Sequence, residues 1–435
     1  MRRKIIISVL VVAILLIAGY AYWVYPPAVC CPAITGDNSG GAIAIYEVYK
    51  FLRKHDFYVQ KIGPEGDFIW GEKGILIGSG YKSGYGIFGL RAVNDGSGGA
   101  VVMWRESLRQ PPYAQTHVVK IDSGGSVQWR RDIPAAGQAI PDGSGGVIIA
   151  YTDDDMNMSA LKIDTEGNLP WGGDGVPLNM GDSYLSDIAS DNSGGVIVVR
   201  YGVGNISAQR LDSRGNVLWQ TGGVEVYGGP AGEARVVSDG SGGAIIVFER
   251  NIPCEDGIGS CDSDIYAQRV DAEGKVLWGP DGVPICIGPS KPYEPKIVAD
   301  GAGGAIIFFE DFEEGFAIYA QRIDANGYKL WPEDVQVWKG TYYSVVSDGF
   351  GGAISVWDER AQRLDTTGRK MWGLNGTTAT LNSRGWYLIS ADGCGGVLVS
   401  WSASRYILDE TASYVQRVDA EGNLPWGDEG ILLNP

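Results

Sequence analysis

Apolar residues along this chain fall into two regimes. Residues 5–24 form a single uncharged run, IIISVLVVAILLIAGYAYWV, behind Met-Arg-Arg-Lys. As a helix, twenty such residues span about 30 Å, one hydrocarbon core. The three basic residues ahead of the run set an N-in, C-out orientation, and Tyr20, Tyr22, Trp23 and Tyr25 fit an outer aromatic belt. The pattern predicts a signal anchor over 1–25 and a short tether over 26–32. Everything after them is then extracytoplasmic, at the cell surface or in the periplasm. A cleaved signal peptide is the competing expectation, but the run is long and the small-x-small site at 18–21 is poor.

Beyond residue 32 the apolar residues come in short runs separated by Gly-rich turns. One motif reads V-S-D-G-S-G-G-A-I-I-V-F at 237–248, and its Asp recurs at 37, 95, 142, 191, 239, 300, 348 and 392. A second reads R-V-D-A-E-G-K-V-L-W at 269–278, and its Trp recurs as Trp70, Trp129, Trp171, Trp219, Trp278, Trp331, Trp372 and Trp426. The Gly four residues before each Trp is present in all eight copies; the Asp seven before is replaced once, by Gly63. The two motifs alternate strictly, which gives eight units of about 50 residues. Each unit resolves into four strands, exemplified by 234–238, 244–248, 265–271 and 275–278. Asp-Gly-Ser-Gly-Gly supplies the first hairpin turn, with Gly at φ > 0 and Asp bonding its own backbone. Four-stranded units that cannot bury both faces must stack, and closing the stack makes a propeller. The predicted fold is all-β, an eight-bladed β-propeller of four-stranded antiparallel blades over 33–435.

Composition agrees: 65 Gly, 14 Trp and 22 Tyr suit an all-β chain of tight turns. The net charge of −17 argues against a nucleic-acid partner. Two His leave little room for a His-based metal site or a Ser-His-Asp triad. Gly84 to Gly89 spells a dinucleotide fingerprint, but a strand pattern follows it where a helix is required.

Ala267, Asp271, Gly274, Lys275 and Trp278 resemble the tryptophan-docking motif of pyrroloquinoline-quinone-type propellers, with one residue fewer between Asp and Gly. The resemblance implies eight blades with each Trp packed flat between neighbours. That family includes quinone-dependent dehydrogenases and a non-enzymatic lipoprotein of outer-membrane barrel assembly. The full unit also looks like uncharacterised repeats of bacterial secreted and surface proteins. Cys30-Cys31 is similar to the vicinal disulfide of the quinone dehydrogenases, but it sits beside the anchor rather than within the propeller.

Propeller geometry puts the uniform turns, between first and second and between third and fourth strands, on one face. The opposite face carries the second-to-third-strand loops, which vary in length, and the inter-blade linkers. Variation over a uniform scaffold is how repeat folds place binding. The linkers carry Tyr81, Tyr85, Tyr184, Tyr293, Tyr342, Tyr343, Trp386 and Tyr387. Tyr85, Tyr184, Tyr293, Tyr343, Trp386 and Tyr387 are the ligand-binding candidates at the channel mouth, with ordinary packing as the plain alternative. No catalytic residue is assigned. Cys254 and Cys261 bracket a Gly-containing loop and are expected to form a disulfide. No cofactor is expected; calcium, if any, belongs at Asp256, Asp262 and Asp264. His55 and His117 read as unrelated surface residues, Cys286 as a buried thiol, and the recurring Gln-Arg of the third strand as an inter-blade device. The function expected is a membrane-tethered, non-catalytic binding or scaffold module for a protein, peptide or glycan, with a membrane-bound partner favoured. The alternative is an extracytoplasmic enzyme, either a quinone-type dehydrogenase or a carbohydrate-active hydrolase or lyase, with its site at the channel mouth.

Overall fold

A computed structural model describes residues 32–50, 54–81, 87–108, 110, 113–181, 184–202, 204–253, 260–288, 292–312, 315–340, 342–380, 387–404 and 411–433. The anchor and the tether up to residue 31 lie outside them. Among the described residues, no helix is long and apolar enough to cross a membrane.

The described strands form eight separate four-stranded antiparallel sheets, each built from four consecutive strands. Blades 1 to 8 span 33–81, 87–133, 136–177, 184–227, 231–286, 293–339, 343–378 and 387–432. In each blade the second strand is the most deeply buried, because neighbouring sheets cover both its faces. The run Ala244 to Phe248 is wholly enclosed, which accounts for its unbroken apolar pattern. Innermost strands of adjacent blades pack side by side around the central channel.

Two devices repeat at the uniform face. In the first, the turn aspartate curls its chain: Asp239 Oδ1 accepts the N–H groups of Ser241 (2.8 Å) and Gly243 (2.9 Å). Its Oδ2 accepts from Arg269 (2.7 Å), whose other Nη donates to the Ala325 carbonyl of the next blade (2.8 Å). Arg210, Arg322 and Arg363 repeat both bonds. The adjacent Gln works within its own blade: Gln268 Oε1 accepts the Trp278 N–H (3.0 Å). Only the Arg half of the Gln-Arg pair therefore spans blades.

In the second device the docking Trp lies against the Gly of the following blade. A Cβ on Gly274, at φ +85°, would stand 2.8 Å from the Trp219 ring. Glycine is thus required both by conformation and by the closeness of the indole. Trp219 Nε1 donates to Ala272 O (3.1 Å) across the same boundary. Equivalent indole bonds reach the next blade from Trp129, Trp171, Trp331 and Trp372. Trp70 and Trp278 are half-buried, and the other six are buried.

The ring closes between blades 8 and 1 by the same means. Trp426 Nε1 donates to Pro64 O (3.0 Å), and Ser400 Oγ to Pro32 O (2.5 Å). Ile34, Ala44, Tyr46 and Ile62 of blade 1 share one apolar cluster with Leu398, Val415 and Trp426 of blade 8. No strand of either blade comes from the opposite terminus.

Candidate functional site at the channel mouth

Four residues before each turn aspartate, the innermost strands carry in blade order Ala33, Arg91, Gln138, Asp187, Arg235, Lys296, Ser344 and Leu388. The position is polar on blades 2 to 7 and apolar on blades 8 and 1. Arg91 of blade 2 and Asp187 of blade 4 feel each other's charge although a blade stands between them. Both side chains therefore reach into the shared channel. Arg235 acts on Asp187 and on Lys296 in the same way.

These four charged residues coincide with a backbone irregularity. The pairing of first and second strands shifts register between Phe88 and Arg91, Leu185 and Asp187, Ala231 and Ala234, and Tyr293 and Lys296. The same pair is regular in blades 1, 3, 7 and 8, where the position is uncharged. A bulge bends its strand and re-aims a side chain. The charges and the bulges belong to one construction.

The channel setting tunes each group. Burial raises the Asp187 carboxyl above the usual carboxylate range, against the opposing pull of the Val236 N–H (3.0 Å), Arg235 and Arg91. Desolvation by the surrounding channel wall lowers Arg91 and Lys296; Asp187 offsets this at Arg91, as Glu294 does at Lys296. Lys296 donates to the Tyr343 carbonyl and sits 4.5 Å from the centre of that ring. Arg235 donates to Glu233 Oε2 (2.7 Å). Arg91 is exposed to the channel and has no hydrogen bond or salt bridge to any described residue.

Two glutamates on second strands hold the linkers above. Glu249 Oε1 accepts the Glu294 N–H (2.6 Å), and Glu310 Oε1 accepts the Tyr342 N–H (2.9 Å). Glu294 and Tyr342 are both left-handed, at φ 48° and 59°. Such positions persist only where surrounding bonds hold them. The Tyr293 hydroxyl donates to the other oxygen of Glu310. Burial raises both glutamates above their ordinary range, and the nearby Glu294 carboxylate adds to the shift.

The aromatic candidates divide. Tyr184 is 59% exposed and Tyr342 70% exposed. Tyr184 lies 5.6 Å from Tyr201, ring centre to ring centre. Tyr293 is half-buried and stacks on Phe312 at 4.5 Å. Tyr343 is only 2% exposed and Tyr387 only 9%. Their hydroxyls bind main chain: Tyr343 donates to Glu294 O (2.8 Å), and Tyr387 to Val356 O (2.8 Å). These two are packing residues between blades, with their ring faces covered. Tyr85, Trp386, Cys254 and Asp256 lie outside the described residues, as does the Cys261 side chain. Asp264 Oδ1 accepts the Gly288 N–H (3.2 Å), and Asp262 Oδ1 the Ser263 N–H (2.9 Å). Among the described residues, no group of three or more His, Cys, Asp and Glu is placed to hold a metal ion.

Neither histidine is a plain surface residue. His55 is buried against Glu47. His117 stacks on Trp104 at 4.9 Å, with Nδ1 2.8 Å from Asp132 and Nε2 3.4 Å from Glu106. His117, with Trp104, Glu106 and Asp132, lines a cavity of about 290 Å³ between blades 1 and 2, in which His55 takes no part. Cys286 is half-buried at the end of its strand, against the expected full burial.

Residue type alone misses Arg91, Asp187, Arg235 and Lys296. Their signal was a lone charge at a fixed distance before the turn aspartate, visible only once the eight units are aligned.

No family model matches the sequence, and no curated protein matches it. Among solved structures, an ulvan lyase, described as a polysaccharide lyase of a new family, is 12% identical at a TM-score of 0.46. That match covers 91% of this chain and 96% of the lyase. The β-propeller domain of the trilobed protease from Pyrococcus furiosus, described as having an open velcro topology, is 11% identical at a TM-score of 0.43, over 79% of this chain and 99% of that domain. The acylaminoacyl peptidase of Pyrococcus horikoshii is 12% identical at 0.39, over 87% of this chain and 58% of the peptidase. Likenesses this distant bear on the fold alone.

Proposed function

We propose that this chain is an extracytoplasmic, membrane-tethered binding module that receives its ligand at the channel mouth and does no chemistry on it. The observation that carries the reading is the engagement of the mouth's carboxylates, the half-buried Glu249 and the buried Glu310. Glu249 and Glu310 each hold a left-handed linker through its N–H. A general acid or base must reach substrate with its proton in play. These two are tied to backbone, while the rings of Tyr184 and Tyr342 are exposed. Such a surface offers contact area with a few fixed polar groups, which is what recognition needs. The apolar run at 5–24 supports the tether, since the chain enters blade 1 at Ala33, the end of the first strand away from its turn. A membrane-bound protein, peptide or glycan partner fits that placement.

The test incubates the detergent-solubilised full chain with pools of oligosaccharides and peptides, recovers what binds and weighs it by mass spectrometry. Bound ligands of unchanged mass are expected. Shortened, unsaturated or oxidised products would overturn the reading in favour of an enzyme.

A further inference from the structure

The inner-strand charges remain unused by this reading, and they run against the composition. The chain carries −17, yet the bulged positions around the channel present three cations and one carboxylate. The bulges occur only on the four blades whose residue at this position is charged. Arg91 sharpens the point: its guanidinium makes no hydrogen bond or ion pair with a described residue and feels only the through-space pull of Asp187, which leaves its fork open to a planar acid.

We propose that the channel mouth binds an acidic glycan, its carboxylate drawn in by Arg91, Arg235 and Lys296 and its sugar rings lying on Tyr184 and Tyr342. The proposal rests on the binding reading above and names its ligand. Three features select this class. Tyr184 heads the innermost strand that carries Asp187, and Tyr342 stands immediately before the innermost strand of blade 7, so exposed rings stand on either side of the Arg235 and Lys296 blades, with Arg91 beyond Tyr184 on blade 2. Flat amphipathic rings suit the apolar faces of pyranoses, whose hydroxyls remain in water. Asp187, Glu233 and Glu294 stand among the cations, with Glu233 paired to Arg235. They would repel a densely charged polymer, so acidic groups spaced by neutral sugars fit better than a polyanion. On the opposite arc, Ala33 and Leu388 leave the channel wall apolar, which gives the ligand one orientation.

The experiment is calorimetric titration of the full chain in detergent. A hyaluronan hexasaccharide supplies spaced carboxylates, chitohexaose the same length without charge, and hexaglutamate charge without sugar. Hyaluronan is expected to bind, to weaken with added salt, and to lose at least tenfold in affinity on Arg91→Gln. Arg91→Gln should leave the melting temperature nearly unchanged, since it removes only a through-space attraction to Asp187 and no hydrogen bond to a described residue. Tyr184→Ala should weaken hyaluronan and chitohexaose in the same proportion. Failure of hyaluronan to bind overturns the inference. Equal binding of chitohexaose overturns the acidic part, and tighter binding of hexaglutamate overturns the glycan part; in both cases the binding module itself survives. Hyaluronan bound through Arg91 but shortened during the titration upholds the ligand class and overturns the non-catalytic reading.

Discussion

The two faces of this ring use carboxylates in opposite ways. On the uniform face, Asp239 is bonded by two main-chain N–H groups and a guanidinium, and Asp142 by two main-chain N–H groups and an ammonium. Burial alone would raise these carboxyls, but the donors outweigh it, and Asp37, Asp142 and Asp239 fall below the usual range. On the variable face, Glu249 and Glu310 each take one main-chain N–H bond near other acids, and burial prevails. The same residue chemistry thus marks scaffold in one place and a tuned surface in the other. Counting acids in a sequence cannot separate the two; counting their donors can.

The largest effect should come from removing a blade-to-blade contact of the uniform face. Trp219→Ala is expected to cost about 3–5 kcal/mol, read by denaturant unfolding, because the buried indole fills the space beside Gly274. A loss below 1 kcal/mol would make the docking Trp a bystander. Next comes Arg269→Ala, which leaves the buried Asp239 without its cation and Ala325 without its donor. The expected cost is about 1.5–3 kcal/mol.

Acid titration tests the comparison directly. A carboxyl held below its ordinary value of 3.8 stabilises the fold at higher pH, and that stability goes as pH falls through the folded value. A glutamate raised above 4.5 does the reverse: it opposes folding at neutral pH and stops doing so once protonated. Mild acidification from pH 7 should therefore raise the melting temperature slightly, before stability collapses below about pH 4. The double variant Glu249→Gln, Glu310→Gln should reduce the rise, with Asp187 supplying what remains, and keep the collapse. An unaltered rise would place its origin elsewhere.

Smallest are the tyrosines. Tyr387→Phe removes the donor to Val356 O and is expected to cost about 1 kcal/mol. Tyr184→Phe should stay within about 0.5 kcal/mol, as its ring lies open to solvent. Reversal of that order would exchange their roles.

The architecture was legible because its instructions repeat. Eight turn aspartates and eight docking Trp at a fixed spacing leave little choice but a ring of four-stranded units. The site was legible only in part. Tyr184 and Tyr343 occupy comparable places at the heads of inner strands, yet one is exposed and the other buried. Their difference lies in how the next blade packs over each ring, which no local pattern records. Arg91, Asp187, Arg235 and Lys296 escaped for the opposite reason. Each differs from its counterparts, so searching for what the units share averages them away. Their bulges depend on hydrogen-bond register, a property of two strands rather than one.

Closure without a shared strand has one more consequence. Blades 8 and 1 are joined by a Trp, a Gly and an apolar cluster of the same kind found at every other boundary. The points at which the ring opens, before Ala33 and after Leu432, are then topologically arbitrary. Joining them by a linker and opening the chain at residues 228–230, between blades 4 and 5, should yield a circular permutant of nearly native stability, since loop closure costs only a little more with length. In the natural order, Trp426 must find Pro64 across 362 residues, the most distant of the indole bonds and on entropic grounds the slowest to form. A permutant makes that junction local and moves the slow step to whichever boundary is cut.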